Sequence, residues 1–333
     1  MVVLTGHLGS GKTTMLNFLL RRPGARVGVI VNDFGAVNVD AGLISGQIDE
    51  PASIAGGCIC CLPDAGGLDD ALAKLSHPRL GLDVVVVEAS GLAEPTTLAR
   101  LVQLSSVERV RPGGVIEVVD AVEYFATLDN GLGPAPLRFE AATLVVVNKV
   151  DRLPLEERAA TVDRITDRVR ARNPHVEIVQ AERGRIDPDL IYDAAATEDP
   201  PDQLPFGAAL RAEHAHEHPH IHADSVTVTI PGVVEPAGLV DLLNAPPPTA
   251  YRIKGTVTVA TRGRAQSYLL NIVGRSGNLV PASRPATASP ASELVAIGLH
   301  LDTAAVRRRL EQSLVPTAHP TADGLAALRR LLA

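Results

Sequence analysis

Residues Gly6-His7-Leu8-Gly9-Ser10-Gly11-Lys12-Thr13-Thr14 constrain this chain more than any other stretch. Glycine, four residues, glycine, lysine and threonine is the spacing of a phosphate-binding loop. The apolar run Val2-Val3-Leu4 precedes it, and Met15-Leu16-Asn17-Phe18-Leu19-Leu20 follows with helical character. In a strand–loop–helix context the glycines let backbone N–H groups turn inward around a polyphosphate at a helix N-terminus. Gly9, Ser10, Gly11, Lys12, Thr13 and Thr14 are therefore the candidate phosphate-binding residues. Lys12 is placed to reach the β- and γ-phosphates, and the Thr13 hydroxyl to ligate Mg²⁺. His7 reads only as a loop side chain.

The rest of the first half repeats the same grammar. Apolar runs at Arg26–Val31, Asp83–Glu88, Val115–Asp120, Thr143–Asn148 and Val176–Val179 read as strands. Short strand-like pieces fall at Gln47-Ile48 and Ser53-Ile54. Helical spacing falls at Leu68–Leu75, Thr96–Leu104, Ala121–Leu128 and Glu156–Arg172, before a turn at Gly184. Continuous Val-rich runs suit strands buried on both faces, and alternation with helices gives a doubly wound, mostly parallel α/β domain. Ligands are then expected beyond the strand carboxyl ends. We assign this domain to residues 1–196. An acidic, Pro-rich and then His-rich linker follows at 197–224, and a smaller α+β domain at 225–333. In that second domain Ser225–Ile230, Tyr251–Thr261, Gln266–Val273 and Glu293–Leu299 read as strands of an antiparallel sheet. Pro236–Leu243, Asp302–Leu314 and a terminal stretch around Leu325, Leu328, Leu331 and Leu332 read as helices.

Several strand ends carry chemistry. Asn148-Lys149-Val150-Asp151 follows a buried strand. An Asp carboxylate there accepts from both the ring N–H and the exocyclic amine of guanine. Adenine offers neither donor and would leave the acid unpaired. Glu88-Ala89-Ser90-Gly91 follows the Val run. Glu88 can hold Mg²⁺ through a water or orient the attacking water, and Gly91 can offer its N–H to the γ-phosphate. Asn32–Asp40 lies where a nucleotide-sensing switch belongs, with Asp33 and Asp40 as candidates near Mg²⁺ or the nucleophile; one of these acids can instead simply cap the next segment.

Cys58, Cys60 and Cys61 are all the cysteines of the chain. Spaced this closely, and odd in number, they make no disulfide framework. Three thiolates favour Zn²⁺ or a related ion and leave a tetrahedral site one ligand short, to be filled by water, carboxylate, His or a recipient's ligand. An open position suits transfer. His214, His216, His218, His220 and His222 alternate. They read either as an auxiliary metal site or as a solvated linker.

Bulk properties exclude some classes. The formal net charge of −7, from 31 basic and 38 acidic residues, argues against a sequence-independent nucleic-acid binder. There is no apolar run long enough for a membrane span, and the first strand begins at the chain start, so we expect neither membrane partner nor leader. With thiols free for metal, the expected compartment is the cytoplasm.

These motifs together resemble the CobW-like GTPases, metallochaperones related to the urease and hydrogenase nickel-insertion GTPases. The carriers are Gly6–Thr14, Asn32–Asp40, Gly57–Cys61, Glu88–Pro95 and Asn148–Asp151, with Arg252-Ile253-Lys254-Gly255 and Ile297-Gly298 in the second domain. The resemblance implies GTP-dependent handling of a transition metal, with the Cys cluster as metal site and switch loops linking it to the nucleotide. Family members often carry Glu where this chain has Asp33, and an aromatic residue at the place of His7. The expectation is an Mg²⁺-dependent GTPase that delivers zinc to an apo-metalloprotein client. Co²⁺ and Ni²⁺ are alternative ions, and cobalt delivery for cobalamin synthesis or a regulatory GTPase without insertion activity are alternative roles. Intrinsic turnover is expected to be slow, because no catalytic arginine in cis is apparent. A nucleotide-dependent homo-oligomer is expected from the behaviour of related GTPases.

Overall fold

A computed structural model describes residues 1–21, 26–31, 52–53, 66–89, 107, 109–131, 133–192, 223–261, 264–282, 291–317 and 319–332. The chain divides into two units, Met1–His220 and Ile221–Ala333.

In the first unit the elements run β1 (Val2–Gly6), α1 (Lys12–Leu20), β2 (Val27–Val31), β3 (Ala52–Ser53), α2 (Gly66–Leu75), β4 (Val84–Glu88), β5 (Val115–Asp120), β6 (Leu144–Asn148), α3 (Leu155–Arg172) and β7 (Glu177–Ala181). The strands form one sheet in the order β3-β2-β4-β1-β5-β6-β7, every pairing parallel. The covering of both faces follows from composition. Strands such as Val84-Val85-Val86-Val87 have no polar side to offer water, so both faces must be covered. Leu68, Leu72 and Leu75 of α2 pack on Val3, Val85, Val87 and Val115. Val162, Ile165 and Val169 of α3 pack on Val119, Val145 and Val147. Alternate residues Leu4, Ile116, Val118 and Val146 point to the opposite face and are equally buried.

The second unit continues with β8 (Asp224–Pro231), α4 (Pro236–Asn244), β9 (Arg252–Thr261), β10 (Arg264–Val273), β11 (Ser276–Pro281), β12 (Ala291–Gly298), α5 (Thr303–Ser313) and α6 (Ala322–Leu332). Its sheet is antiparallel, in the order β11-β10-β9-β12-β8. Leu239, Leu242, Val306, Leu310 and Leu328 of the helices share one core with Ile253, Val257, Leu270, Ile272 and Leu294 of the strands. Each such side chain contributes roughly 1.5–3 kcal/mol by leaving water.

Some local expectations shift. Strand β11 escapes the sequence because Ser276-Gly277-Asn278 is polar. It forms through a two-residue turn at Gly274-Arg275 that pairs Val273 with Ser276, with Gly274 at φ 58°. The helix expected over Ala121–Leu128 narrows to a single π turn, Tyr124–Leu128. Asp120 Oδ1 accepts from the N–H groups of Val122 (3.0 Å) and Glu123 (3.3 Å), holding the preceding residues in a turn. The seventh strand of the first sheet lies at Glu177–Ala181 rather than Val176–Val179. The segments Thr96–Leu104 and Gln47-Ile48 lie outside the described residues.

Candidate functional site

The parallel sheet brings the carboxyl ends of β1, β4, β5, β6 and β7 to one edge, and the loops that follow build the site. Gly11 caps α1 in the left-handed region, at φ 102°, without a side chain to occupy the first turn. A Cβ on it would collide with the Asn148 amide. Ser10 is buried, and its Oγ has no hydrogen-bond partner among the described residues. Lys12 is folded onto the loop, donating from Nζ to the carbonyls of Gly6 (3.0 Å) and His7 (3.3 Å). Thr13 Oγ1 donates to Glu88 Oε1 at 3.2 Å, so the hydroxyl at the start of α1 and the acid at the end of β4 meet across 75 residues of sequence. Glu88 is 2% exposed.

The Asn148–Asp151 turn is joined to this loop. Asn148 Nδ2 donates to Ser10 O (2.9 Å), and Asn148 Oδ1 accepts from Gly184 N–H (2.8 Å). Lys149 sits in the left-handed region, at φ 65°. Its Nζ donates to Gly9 O (2.7 Å) and to Asp120 Oδ2 (2.5 Å). Asp151 lies on the 3-10 turn Val150–Arg152. Its Oδ1 is buried with no hydrogen-bond partner among the described residues, and its Oδ2 is 4.0 Å from Arg183 Nε. A buried acceptor beside a phosphate loop fits a base that donates two N–H groups. Together with the glycine cradle and the Thr13–Glu88 contact, it fits a guanine nucleotide with Mg²⁺.

Gly9, Ser10, Gly11, Lys12, Thr13, Thr14, Glu88, Asn148, Lys149 and Asp151 thus gather at one sheet edge. Cys58, Cys60, Cys61, Asp33, Asp40, Gly91 and His214–His222 lie outside the described residues. Among the described residues no group of three His, Cys, Asp or Glu side chains is placed to hold a metal ion. No helix among them is long and apolar enough to cross a membrane.

Sequence reasoning missed four contributors. Asp120 is more than a strand-ending acid, since it anchors Lys149. Gly184 donates to Asn148 from a two-residue turn in which Arg183 (φ 53°) and Gly184 (φ 71°) are both left-handed. Its spacing resembles any hairpin, so only the close approach of Met15 reveals the need for glycine: a Cβ would lie 2.7 Å from Met15 N. Gly184→Ala is expected to cost about 1–3 kcal/mol of stability and to weaken nucleotide binding by releasing Asn148. Thermal melting with and without guanosine diphosphate checks both effects.

Glu117 and Arg138 are the other two. Glu117 is fully buried in β5, opposite Thr5 in register. Arg138 Nε comes within 2.6 Å of its Oε1, an ion pair by distance that lacks the alignment of a good hydrogen bond. Burial pushes the Glu117 carboxyl up from 4.5 to about 7, against the opposing pull of Arg138, Lys12 and Thr5. The available signal was one acid inside an otherwise apolar run.

Residues 1–180 match the family described as CobW/HypB/UreG, nucleotide-binding domain, and residues 223–314 match the cobalamin synthesis protein cobW C-terminal domain. The chain is 29% identical over 339 residues to a protein named zinc chaperone CobW from Sinorhizobium sp, covering 92% of this chain and 94% of that one. It is 31% identical over 352 residues to a protein of the same name from Pseudomonas aeruginosa, covering 94% and 90%. Among solved structures, the Zn(II)-bound YjiA GTPase from E. coli aligns over 93% of this chain and 96% of its own, at 23% identity and a TM-score of 0.42.

Proposed function

Since the chain belongs to the CobW/HypB/UreG family, we propose that it is a GTP-hydrolysing metal chaperone whose substrate ion is zinc. The observation that carries the nucleotide half is Asp151 Oδ1, a buried acceptor with no hydrogen-bond partner among the described residues, on a turn tied by Asn148 and Lys149 to the phosphate loop. The metal half is supported by the Cys58-Ile59-Cys60-Cys61 sequence and by the names of the relatives.

Each residue then has a task. Gly9, Ser10 and Gly11 offer backbone N–H groups to the phosphates, and Thr14 continues the helix behind them. Lys12 leaves the carbonyls of Gly6 and His7 to neutralise phosphate charge. Bound Mg²⁺ supplies further charge neutralisation on the phosphates; Thr13 and Glu88 are the residues that would hold it, directly or through water. Gly91 donates to the terminal phosphate, and Asp33 lies in the switch that senses it. Asp151 accepts from guanine, while Asn148 and Lys149 hold the turn in place. Cys58, Cys60 and Cys61 bind the zinc substrate, and His214, His216, His218, His220 and His222 form an auxiliary store for it. The ordered switch completes the thiolate geometry. Its relaxation after hydrolysis loosens the ion for an apo-metalloprotein client, with slow turnover in the absence of that partner.

The test is zinc affinity by competition with a chromophoric chelator, at matched Mg²⁺, with guanosine diphosphate or a non-hydrolysable triphosphate analogue. The analogue is expected to tighten binding by about tenfold or more, roughly 1.4 kcal/mol of coupling. The Cys58→Ser, Cys60→Ser, Cys61→Ser variant should lose that difference. Equal affinity in both nucleotide states would sink the gating step.

A further inference from the structure

We propose that Glu117 is a positioning residue for the phosphate loop: held by Arg138 beneath the end of β1, it sets, through Lys12, how tightly the loop holds a polyphosphate. The proposal rests on the phosphate-binding part of the function above and is independent of the base and of the zinc substrate.

The geometry carries it. Glu117 occupies β5 one residue before the level of Gly6, which pairs with Val118. Its row across the sheet runs Thr5, Glu117, Val145, at the seam between the clusters under α2 and α3. An acid at that seam has no access to water and no apolar reason to be there. Arg138 reaches it from the 3-10 turn Leu137–Phe139, with only 12% of its side chain exposed. The Lys12 ammonium, kept at the end of β1 by Gly6 O and His7 O, is near enough for its charge to act on the carboxyl. Among the described residues the Tyr124 phenol also feels the Glu117 charge. The β neighbours Thr5 and Val145 carry no charge.

Two charge states follow. Ionised, Glu117 offsets Arg138 and draws the Lys12 ammonium back toward the strand. Protonated, it leaves Arg138 and Lys12 with one more net positive charge behind the loop. A polyphosphate anion gains from that charge, so proton uptake and phosphate binding favour each other. With the carboxyl raised to about 7, the change falls within the neutral range. The only bond change is transfer of a proton between solvent and the Glu117 carboxylate.

The experiment is fluorescent-nucleotide titration of the full chain in Mg²⁺ at about pH 6, 7 and 8, with guanosine and adenosine diphosphates. It compares the natural protein with Glu117→Gln and Arg138→Gln. From the low to the high pH the natural protein should lose about tenfold more affinity than Glu117→Gln, whose residual slope reports the phosphate's own titration. At the high pH Glu117→Gln should bind about threefold tighter or more than the natural protein. Arg138→Gln should keep a pH dependence with its midpoint moved upward, because the cation that favours the carboxylate is gone. A purely structural Glu117 would give weaker binding in Glu117→Gln at every pH and no midpoint shift, and that result would overturn the proposal. So would identical pH profiles for Glu117→Gln and the natural protein. A preference for adenosine diphosphate would overturn the guanine assignment alone, and the same comparison made on that nucleotide would still uphold or sink the role of Glu117.

Discussion

Asp151→Asn is expected to lower affinity for guanosine diphosphate by about 100-fold and to transfer preference to xanthosine diphosphate. The Asp151 carboxylate offers two acceptors, and its Oδ1 is already desolvated with no hydrogen-bond partner among the described residues. Guanine supplies two matching donors, each worth roughly 1.5–3 kcal/mol against a charged acceptor. An amide exchanges one acceptor for a donor. Guanine then meets an N–H facing its amine, whereas xanthine presents a carbonyl there and keeps the ring N–H. Competition titration with the two diphosphates measures the exchange. Unchanged preference for guanosine diphosphate in the variant would show that Asp151 does not read the base.

Arg138→Met should destabilise the first unit at both pH values, by about 1–1.5 kcal/mol more at pH ~8 than at pH ~5. The sign comes from Glu117. Its carboxyl is raised in the folded protein, from 4.5 to about 7, so the folded state binds a proton more readily than the unfolded chain. The stability tied to that proton is fully present below about pH 4.5 and is lost as pH rises through about 7, a swing of about 3 kcal/mol. Removing Arg138 takes away the cation that favours the carboxylate, so the buried acid keeps its proton to higher pH and stability goes on falling past pH ~7. Near pH ~5 the folded acid is largely neutral, and mainly the packing of the arginine stem is missing. Urea titrations followed by circular dichroism at the two pH values measure the difference. A loss of equal size at both would mean that the pair's charge is not what matters.

How much of this could be read beforehand depended on distance along the chain. The phosphate loop was legible because its function resides in contiguous backbone, and spacing alone specifies it. The Asn148–Asp151 turn was legible as a motif but not as a joint. Asn148 and Lys149 appeared as nucleotide-binding residues, yet their described bonds go to Ser10, Gly9, Asp120 and Gly184, up to 140 residues away. No local pattern announces such a bond. Glu117 was hidden for a related reason: five apolar or strand-ending neighbours read as one run, and its partner lies in a turn of its own. The antiparallel second unit was legible strand by strand except at β11, where turn geometry rather than hydrophobicity sets the pairing.

The tie from Lys149 to Gly9, with Asn148 clamped between Ser10 and Gly184, has a kinetic consequence. The two ends of the nucleotide cleft are fixed to one another while the chain folds, so an arriving nucleotide does not have to order them, and the entropy of that ordering is not charged to the encounter. Correct and incorrect bases should therefore enter at similar rates. Discrimination then appears in residence time, with the wrong base leaving sooner from a frame that does not adapt to it.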